Sequence, residues 1–381
     1  MKKALAVILG LAMTLSLAAC GGTATQPEPE QKPESTVAES SEAQDEETYH
    51  FEIVSKGFQS TYWQAVYKGA TERLSSLNSE AGYEKYSMNF VGPDSESDIA
   101  VQVQEFASAL NAKPDAIGLA ALDVDALLDS IKSAQSDGIP IIGFDSGVPN
   151  APEGAVYANA STDNYVAGKM AADGMYEVIK NRLGNGQVRI GEVNQDATAE
   201  SITNRGLGFI DQMIDNLTAD GYTVEVTGNE KYVGDCKGST ATGADADVII
   251  EVRVPSQTTT ELCATEAGVI LNEPDTIAIF GSNQVAAEGV ITANETLQVC
   301  GTGEDNIIAV GFDSGSVLKA AIKGGSMYGA VTQAPVSIGS VLIELLADSA
   351  AGKSVANTDT GCQFYTTENI DSPEISQNLY D

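Results

Sequence analysis

The chain has 381 residues and a formal net charge of −34, with 20 lysines and arginines against 54 aspartates and glutamates. A protein that binds DNA or RNA needs a basic surface, so this composition excludes nucleic acid as a partner. The negative charge favours solubility and does not specify a fold.

The N-terminal segment predicts export and attachment to a membrane by lipid. Two lysines precede an apolar run over 4–19, which is too short to span a bilayer comfortably and is typical of a signal peptide. The run ends in the sequence LAACG, which resembles the bacterial lipobox, in which the cysteine is lipidated and becomes the mature N-terminus. We therefore expect residues 1–19 to be removed and a diacylated Cys20 to hold the protein on the outer face of the cell membrane. The alternative is ordinary signal cleavage beside an incidental cysteine.

Residues 20–48 predict a disordered tether. Between 23 and 48 there are eight acidic residues and one lysine, with almost no large apolar side chain. Such a segment cannot bury enough apolar surface to offset its ordering entropy. About 330 residues remain, which exceeds the size at which a single core usually stops growing, so we expect two lobes.

From residue 49 onward, short apolar runs alternate with longer amphipathic segments. Continuous β-branched runs separated by helices are typical of parallel strands buried on both faces. In the first half the pattern predicts strands over 51–54, 88–91, 116–120 and 139–144, and helices over 61–77, 99–110 and 124–134. It restarts at 155–158 and predicts strands over 188–193, 247–250, 277–280 and 307–312, with helices over 165–183, 202–217, 258–270, 285–293 and 316–322. The predicted fold class is α/β, with two doubly wound, Rossmann-like lobes.

Cysteines and a polar segment mark the second half of the chain. We interpret 234–254 as an insertion near the cleft of the second lobe. The cysteines other than Cys20 are Cys236, Cys263, Cys300 and Cys362, and four thiols allow three full pairings. We prefer a disulfide between Cys236 and Cys263, because both lie in or beside the insertion. Buried, unpaired thiols are the alternative.

The sequence offers little for catalysis. His50 is the only histidine, which excludes histidine-based triads and clusters of histidine metal ligands. The glycine pairs in 206–208 and 301–303 lack the third glycine of a dinucleotide-binding fingerprint. We expect a protein that is not an enzyme, with no cofactor and no metal.

A resemblance to a known family is carried by segments spread over about 50–370. In order and spacing they are similar to type 1 periplasmic binding proteins of the ribose, allose and galactose class, in the lipoprotein form of Gram-positive bacteria. The segments are 56–66, 138–145, 162–164, 204–209, 281–283, 310–315 and 332–335. The chain departs from the family pattern at Ser60-Thr61, where related sugar binders often carry Asn-Pro. It also carries Ser146-Gly147 where a long polar residue often follows the aspartate.

The resemblance implies two lobes joined by a three-strand hinge, with a ligand between them. The first lobe would comprise 49–161 and about 334–360, and the second 162–333 and about 361–381. The crossovers between the lobes are expected near Thr162, Gln333 and Thr360.

The resemblance also implies a ligand site, at the strand ends where open α/β sheets bind ligands. Aromatic rings would stack on a sugar, two carboxylates and two amides would hold its hydroxyls, and a guanidinium would reach the ring oxygen or a hydroxyl. The residues at these positions are Tyr62, Trp63, Asp145, Arg205, Asn283, Asp313 and Gln333.

From the residues alone, structural interpretations of these side chains stay open. Trp63 could belong to the core, and Arg205 could be a solvated helix charge. Asp145 and Asp313 could cap turns or helices, and Asn283 could cap the helix that begins near 285.

For the function, the resemblance implies the capture subunit of an ABC-type importer, which closes on a monosaccharide and docks on the permease. One alternative is a ligand sensor for a two-component or chemotaxis receptor. Another is a transporter subunit that binds a nucleoside or a polyol. An enzyme acting on envelope carbohydrate is disfavoured because no catalytic histidine is present.

Overall fold

The computed structural model describes residues 46–381. The predicted signal peptide, the lipidation of Cys20 and most of the acidic tether therefore lie outside the described residues. Within 46–381, no helix has the length and apolar character needed to cross a membrane.

The described chain alternates strands and helices along nearly its whole length. The strands are β1 (Tyr49–Val54), β2 (Tyr86–Val91), β3 (Ala116–Leu119), β4 (Ile141–Phe144), β5 (Val156–Ser161), β6 (Val188–Val193), β7 (Val224–Gly228), β8 (Val248–Arg253), β9 (Thr276–Gly281), β10 (Ile308–Phe312), β11 (Gly329–Gln333), β12 (Thr358–Asp359) and β13 (Cys362–Thr366). The helices are α1 (Thr61–Ala81), α2 (Ile99–Asn111), α3 (Leu128–Asp137), α4 (Asn164–Ile179), α5 (Glu200–Ala219), α6 (Glu230–Asp235), α7 (Thr260–Leu271), α8 (Gln284–Leu297), α9 (Ser316–Gly324), α10 (Pro335–Ala350) and α11 (Pro373–Ser376).

The strands form two sheets. The first has the order β12-β5-β4-β3-β1-β2, and all of its strand pairs are parallel. The second has the order β13-β11-β10-β9-β6-β8-β7 and is parallel except for β13, which runs antiparallel to β11. We call each sheet with its helices a lobe. The predicted α/β fold with two doubly wound lobes is confirmed.

Both faces of each sheet are covered, because the parallel strands carry apolar side chains on both faces. In the second sheet, Ile190 and Phe280 pack against α4 and α5, whereas Val193 and Ile279 pack against α7 and α8. Helices α4 and α5 approach closely at Gly168, where a Cβ atom would lie 2.0 Å from the carbonyl oxygen of Arg205.

The chain crosses between the lobes three times. It leaves the first lobe after β5, returns after β11 into α10, and passes from β12 to β13. The crossing strands are bonded to one another: the hydroxyl of Thr162 donates to the carbonyl of Gly361 at 3.2 Å, and the N–H of Thr360 donates to the carbonyl of Ser161 at 3.0 Å. The three-strand hinge implied by the resemblance is present.

The interpretation of 234–254 as an insertion near the cleft is wrong for the last part of the segment. Its last part forms β8, which pairs with β6 inside the sheet, and β7, which the sequence pattern did not predict, lies at the edge. The N–H groups of Thr240 and Ala241 donate to the carbonyl of Val224 at 2.8 and 3.1 Å. The segment therefore covers the amino end of an exposed sheet edge, which protects that edge from pairing with another chain.

The preferred disulfide between Cys236 and Cys263 is also wrong, since all four cysteines in the described part of the chain are free thiols. Cys236 packs against the core that contains α4 and α5, whereas Cys263 is buried in the core on the opposite face of the second sheet. The two thiols are separated by the sheet itself. Burial raises the pKa of Cys263 to about 12, so this thiol stays protonated at neutral pH.

Candidate functional site

A cavity of about 320 Å³ lies between the two lobes. Its walls come from residues at the carboxyl ends of strands in both sheets, together with the start of α1 and the first half of α5. All the candidates from the sequence line it: Tyr62, Trp63, Asp145, Arg205, Asn283, Asp313 and Gln333. Lys56, Glu96 and Gln195 also line it and were not predicted.

Two carboxylates enter the cavity from matching positions in the two lobes. Asp145 follows β4 and Asp313 follows β10, and both have left-handed backbones, with φ of 56° and 72°. This conformation is uncommon for residues other than glycine, although aspartate and asparagine tolerate it best. The N–H of Asp145 donates to Ala160 and that of Asp313 to Val331, each on the neighbouring strand, and these bonds fix the two turns.

Asp145 is 2% exposed and is held by two partners. The hydroxyl of Tyr62 donates to its Oδ1 at 2.5 Å, and the ammonium of Lys56 lies 3.1 Å from its Oδ2. The Lys56 contact is an ion pair that is not aligned as a hydrogen bond, and Oδ2 has no hydrogen-bond partner within the protein. Burial, together with the nearby charge of Asp145, raises the pKa of Tyr62 well above its usual value, so this phenol stays protonated.

Lys56 is 4% exposed and reaches across the cleft. Its ammonium donates to the hydroxyl of Ser201 in the second lobe at 3.0 Å and lies 3.9 Å from Glu96. Burial lowers the pKa of Lys56, but the attraction of Asp145, Glu96 and Asp196 outweighs burial and raises it overall. Lys56 lies two residues after the end of β1. Because open α/β sheets bind ligands at the carboxyl ends of their strands, this position could have identified Lys56 as a candidate site residue.

Arg205 is buried between three elements of the second lobe, so its interpretation as a solvated helix charge is wrong. From α5 it donates to the carbonyl of Ser282 at 2.8 Å and to the side-chain oxygen of Asn164 at 2.7 Å. Its guanidinium carbon lies 3.6 Å from the ring centroid of Phe312, a geometry of favourable cation–π attraction. Its Nε has no hydrogen-bond partner.

Asp313 and Gln333 line the part of the cavity that the second lobe forms. Gln333 donates from Nε2 to Asp313 Oδ1 at 2.8 Å, and the N–H of Gln284 donates to Oδ2 at 3.1 Å. Arg205 lies 3.9 Å from Oδ2. Burial raises the pKa of Asp313 although Arg205, Gln333 and Gln284 each act to lower it. The side-chain oxygen of Gln333 has no partner.

A chain of hydrogen bonds crosses the cavity wall from one lobe to the other. Asn283 donates to the side-chain oxygen of Gln195, and Gln195 donates to Glu96 at 2.9 Å. Glu96 also accepts from the indole nitrogen of Trp63 at 2.8 Å. Asn283 is in addition the N-cap of α8, because its side chain accepts from the N–H of Ala286. The structural interpretations of Trp63 and Asn283 are therefore correct, and both side chains still line the cavity.

Three buried atoms of residues that line the cavity, one donor and two acceptors, have no hydrogen-bond partner within the protein. They are the Nε of Arg205, the Oδ2 of Asp145 and the Oε1 of Gln333. Hydroxyl groups both donate and accept, so a molecule rich in hydroxyls can satisfy all three. Among residues 46–381, no three His, Cys, Asp or Glu side chains are placed to hold a metal ion.

Comparisons with known proteins agree with this architecture. A profile of the family described as "Periplasmic binding protein domain" matches residues 51–354. The ribose import binding protein RbsB of Bacillus subtilis (strain 168) is 25% identical over 274 residues, which are 72% of this chain and 75% of that protein.

Two solved structures cover most of the chain. One, described as an ABC transporter, LacI family transcriptional regulator from Brachyspira murdochii, is 31% identical with a TM-score of 0.69, over 88% of this chain and 99% of that one. The other is an ABC transporter solute binding protein from Agrobacterium vitis with bound D-fucose. It is 26% identical with a TM-score of 0.69, over 87% of this chain and 100% of that one.

Proposed function

Because the chain belongs to the periplasmic binding protein domain family, we propose that it is an extracytoplasmic solute-binding protein that captures a monosaccharide for an ABC-type importer. The observation that carries this proposal is the convergence of two carboxylates, a guanidinium, two amides and two aromatic side chains on one cavity between two hinged lobes. Relatives support the ligand class, since one is a ribose import binding protein and another holds D-fucose.

The chemistry of the cavity suits a sugar ring. A volume of about 320 Å³ is at the small end of ligand pockets, which range from roughly 300 to 1,000 Å³. Hydroxyls at the rim of the ring would bond to Asp145, Asp313 and Arg205, while Tyr62 and Trp63 present apolar surface to its C–H groups. A bond to a charged group contributes about 1.5–3 kcal/mol, so three or four of them reach the roughly −8 kcal/mol of micromolar binding.

Direct contacts between the lobes support capture by closure. The N–H of Ser201 donates to the hydroxyl of Ser146 at 3.2 Å, and the N–H of Gly147 donates to Glu200 at 3.2 Å. The described conformation is therefore one in which the lobes touch beside the cavity. In our proposal a ligand stabilises this closed form by its differential affinity, and the closed form docks on the permease.

The division of the chain and its anchoring belong to the same proposal. We assign 49–161 with about 334–360 to the first lobe and 162–333 with about 361–381 to the second. This division is supported by the pairing of β12 with β5 and of β13 with β11. Cys20 would carry the lipid, and the acidic segment 20–48 would hold the lobes away from the membrane surface.

A ligand screen tests the proposal. The compact unit Glu46–Asp381 is titrated calorimetrically and by thermal shift with monosaccharides, polyols and nucleosides. At a hundredfold excess over its dissociation constant, a true ligand stabilises the protein by about 2.7 kcal/mol. Silence with every monosaccharide and a shift with a nucleoside or polyol would overturn the ligand class.

Two variants test the site itself. Asp145→Ala and Arg205→Ala should each weaken monosaccharide binding roughly ten- to a hundredfold, the loss of one charge-assisted bond. Unchanged affinity in both variants would show that the ligand binds elsewhere.

A further inference from the structure

Residues 377–381, which follow α11 and which we call the strap, contact both lobes. Leu379 packs against the core of the second lobe that contains Ile279, whereas Tyr380 packs against the core of the first lobe that contains Phe51. Two neighbouring side chains of the strap therefore lie against different lobes. The strap links the lobes in addition to the three crossovers of the hinge.

Tyr380 is bonded to the turn that follows Asp313 in the second lobe. Its backbone carbonyl accepts from the hydroxyl of Ser314 and from the N–H of Gly315, each at 3.2 Å. Its phenol oxygen accepts from the N–H of Ser314 at 3.2 Å and donates to the side-chain oxygen of Gln284 at 3.4 Å. Two of these bonds belong to the backbone of Tyr380, so a substitution of its side chain leaves its anchor on the second lobe in place.

The ring of Tyr380 contacts Tyr62 of the first lobe. The two ring centroids lie 5.9 Å apart with an interplanar angle of 67°, an edge-to-face arrangement that is favourable for aromatic pairs. The hydroxyl of Tyr62 donates to Asp145 at 2.5 Å, so the orientation of the Tyr62 ring decides whether this bond forms. Tyr380 itself does not line the cavity, and it contacts the site from behind, through Tyr62 and through the turn after Asp313.

We propose that Tyr380 is a positioning residue for sugar capture: anchored on the second lobe by its backbone carbonyl, its ring supports the ring of Tyr62 and keeps the Tyr62 hydroxyl on Asp145. This inference rests on the proposed function and adds to it a residue outside the cavity that determines affinity. Because Tyr62 belongs to the first lobe and the anchor to the second, the same contact joins the two lobes.

Substitutions of Tyr380 test the role of its ring. Wild type is titrated calorimetrically with a panel of monosaccharides that includes D-ribose, D-galactose and D-fucose, and the sugar that binds most tightly is the probe. In Tyr380→Ala its affinity should fall about tenfold or more, because the charge-assisted bond from Tyr62 to Asp145 is no longer held in place. Tyr380→Phe keeps the ring against Tyr62, so its affinity should stay within about threefold of wild type.

A double-mutant cycle tests whether Tyr380 acts through Tyr62. Residues in contact show an interaction energy, whereas independent residues have additive effects. In a Tyr62→Ala background, Tyr380→Ala should therefore change the affinity by less than about threefold.

A control and a replacement variant complete the test. Tyr328→Ala is the matched control, because Tyr328 pairs with Phe364 inside the second lobe, with ring centroids 6.3 Å apart, and does not line the cavity. Its affinity for the probe should equal that of wild type. If Tyr380→Ala does not fold, Tyr380→Leu takes its place with the same expectations, since leucine fills much of the same space without an aromatic edge.

The outcomes separate the positioning role from the proposed function. Wild-type affinity in Tyr380→Ala, or in Tyr380→Leu in its place, would overturn the role of Tyr380 while sugar capture stands. The same holds if Tyr380→Phe binds as weakly as Tyr380→Ala, or if the loss is as large in the Tyr62→Ala background as in wild type. No binding of any monosaccharide of the panel to wild type would instead overturn the proposed function, and this inference with it.

Discussion

Asp313→Asn should weaken sugar binding strongly while leaving the unliganded protein as stable as before. The substitution preserves the shape of the side chain, and asparagine tolerates the backbone φ of 72° at this position. The hydrogen bonds can also be kept. If the Gln333 amide turns over, its unpartnered oxygen accepts from the new amide, and the N–H of Gln284 still finds an oxygen.

The magnitudes favour this separation of stability from binding. At 3.9 Å, the attraction between Arg205 and Asp313 amounts to about 4 kcal/mol in an effective dielectric of 20. The cost of burying a carboxylate is also several kcal/mol. Because the pKa of Asp313 is raised, with burial as the largest cause, the burial cost exceeds the attraction, and removal of the charge costs the unliganded protein nothing.

The sign of the pH dependence follows from the same shift. A carboxyl group with a raised folded-state pKa gives its full stability below the unfolded value of about 3.9, and this stability is lost as the pH rises through the folded pKa. Asp313→Asn has no carboxyl group to ionise at this position, so it does not lose stability in this way as the pH rises. Its free energy of unfolding should therefore equal or exceed that of wild type at pH 7.

Binding should behave differently. In the wild-type protein, two sugar hydroxyls can donate to the Asp313 carboxylate. In Asp313→Asn these bonds are no longer charge-assisted, and each loses about 1–1.5 kcal/mol. Together the two losses lower the affinity roughly 30- to 150-fold. Urea unfolding and calorimetric titration measure the two quantities, with Asp129→Asn, whose side chain is 98% exposed, as the matched control. The reasoning would be refuted if the free energy of unfolding of Asp313→Asn were more than about 1 kcal/mol below that of wild type while its affinity for the sugar were unchanged.

Two other substitutions test buried features of the second lobe by urea unfolding. Burial raises the pKa of Glu192 well above 4.5 although Asn194 donates to it. Glu192→Gln should therefore be more stable than wild type, by up to about 1.4 kcal/mol for each pH unit between 4.5 and the folded-state pKa, and an equal loss at every pH would contradict this. Gly168→Ala should cost about 2 kcal/mol or more and weaken sugar binding, because its Cβ would meet the backbone of the helix that carries Arg205. Gly268→Ala is the control, because a Cβ atom at this position in α7 has open space, and its free energy of unfolding should rise by about 0.5–1 kcal/mol. Equal effects of the two alanine substitutions on stability would contradict the packing argument.

Most of the buried parallel strands were predictable because their apolar runs are continuous. The pattern over 188–193 matches β6, which lies between β8 and β9 and has four of its six residues buried. Strand β11 was missed although it is buried throughout, because its sequence GAVTQ is short and contains a glycine and two polar residues. Strand β7 was missed since it lies at the edge and alternates buried with half-exposed residues, so its run is broken. The disulfide could not be judged from spacing, because spacing does not tell which face of a sheet each cysteine occupies.

The site was predictable where a polar residue directly follows a strand. The resemblance implied Asp145 and Asp313, and each of them directly follows a strand. Lys56 lies two residues after β1. Glu96 and Gln195 lie in loops, and their place in the cavity wall depends on how the two lobes meet. That arrangement is set by tertiary packing and is not visible in local periodicity.

Trp63 provides the most direct measurement of the central claim, that a monosaccharide binds in the cavity between the lobes. It is the only tryptophan of the chain, and it lines this cavity beside Tyr62. Titration of a neutral monosaccharide should change its fluorescence saturably, and the midpoint should move at least tenfold higher in Asp313→Asn. The account would be contradicted by a sugar that binds wild type and Asp313→Asn with the same dissociation constant in calorimetry and does not change the fluorescence of Trp63.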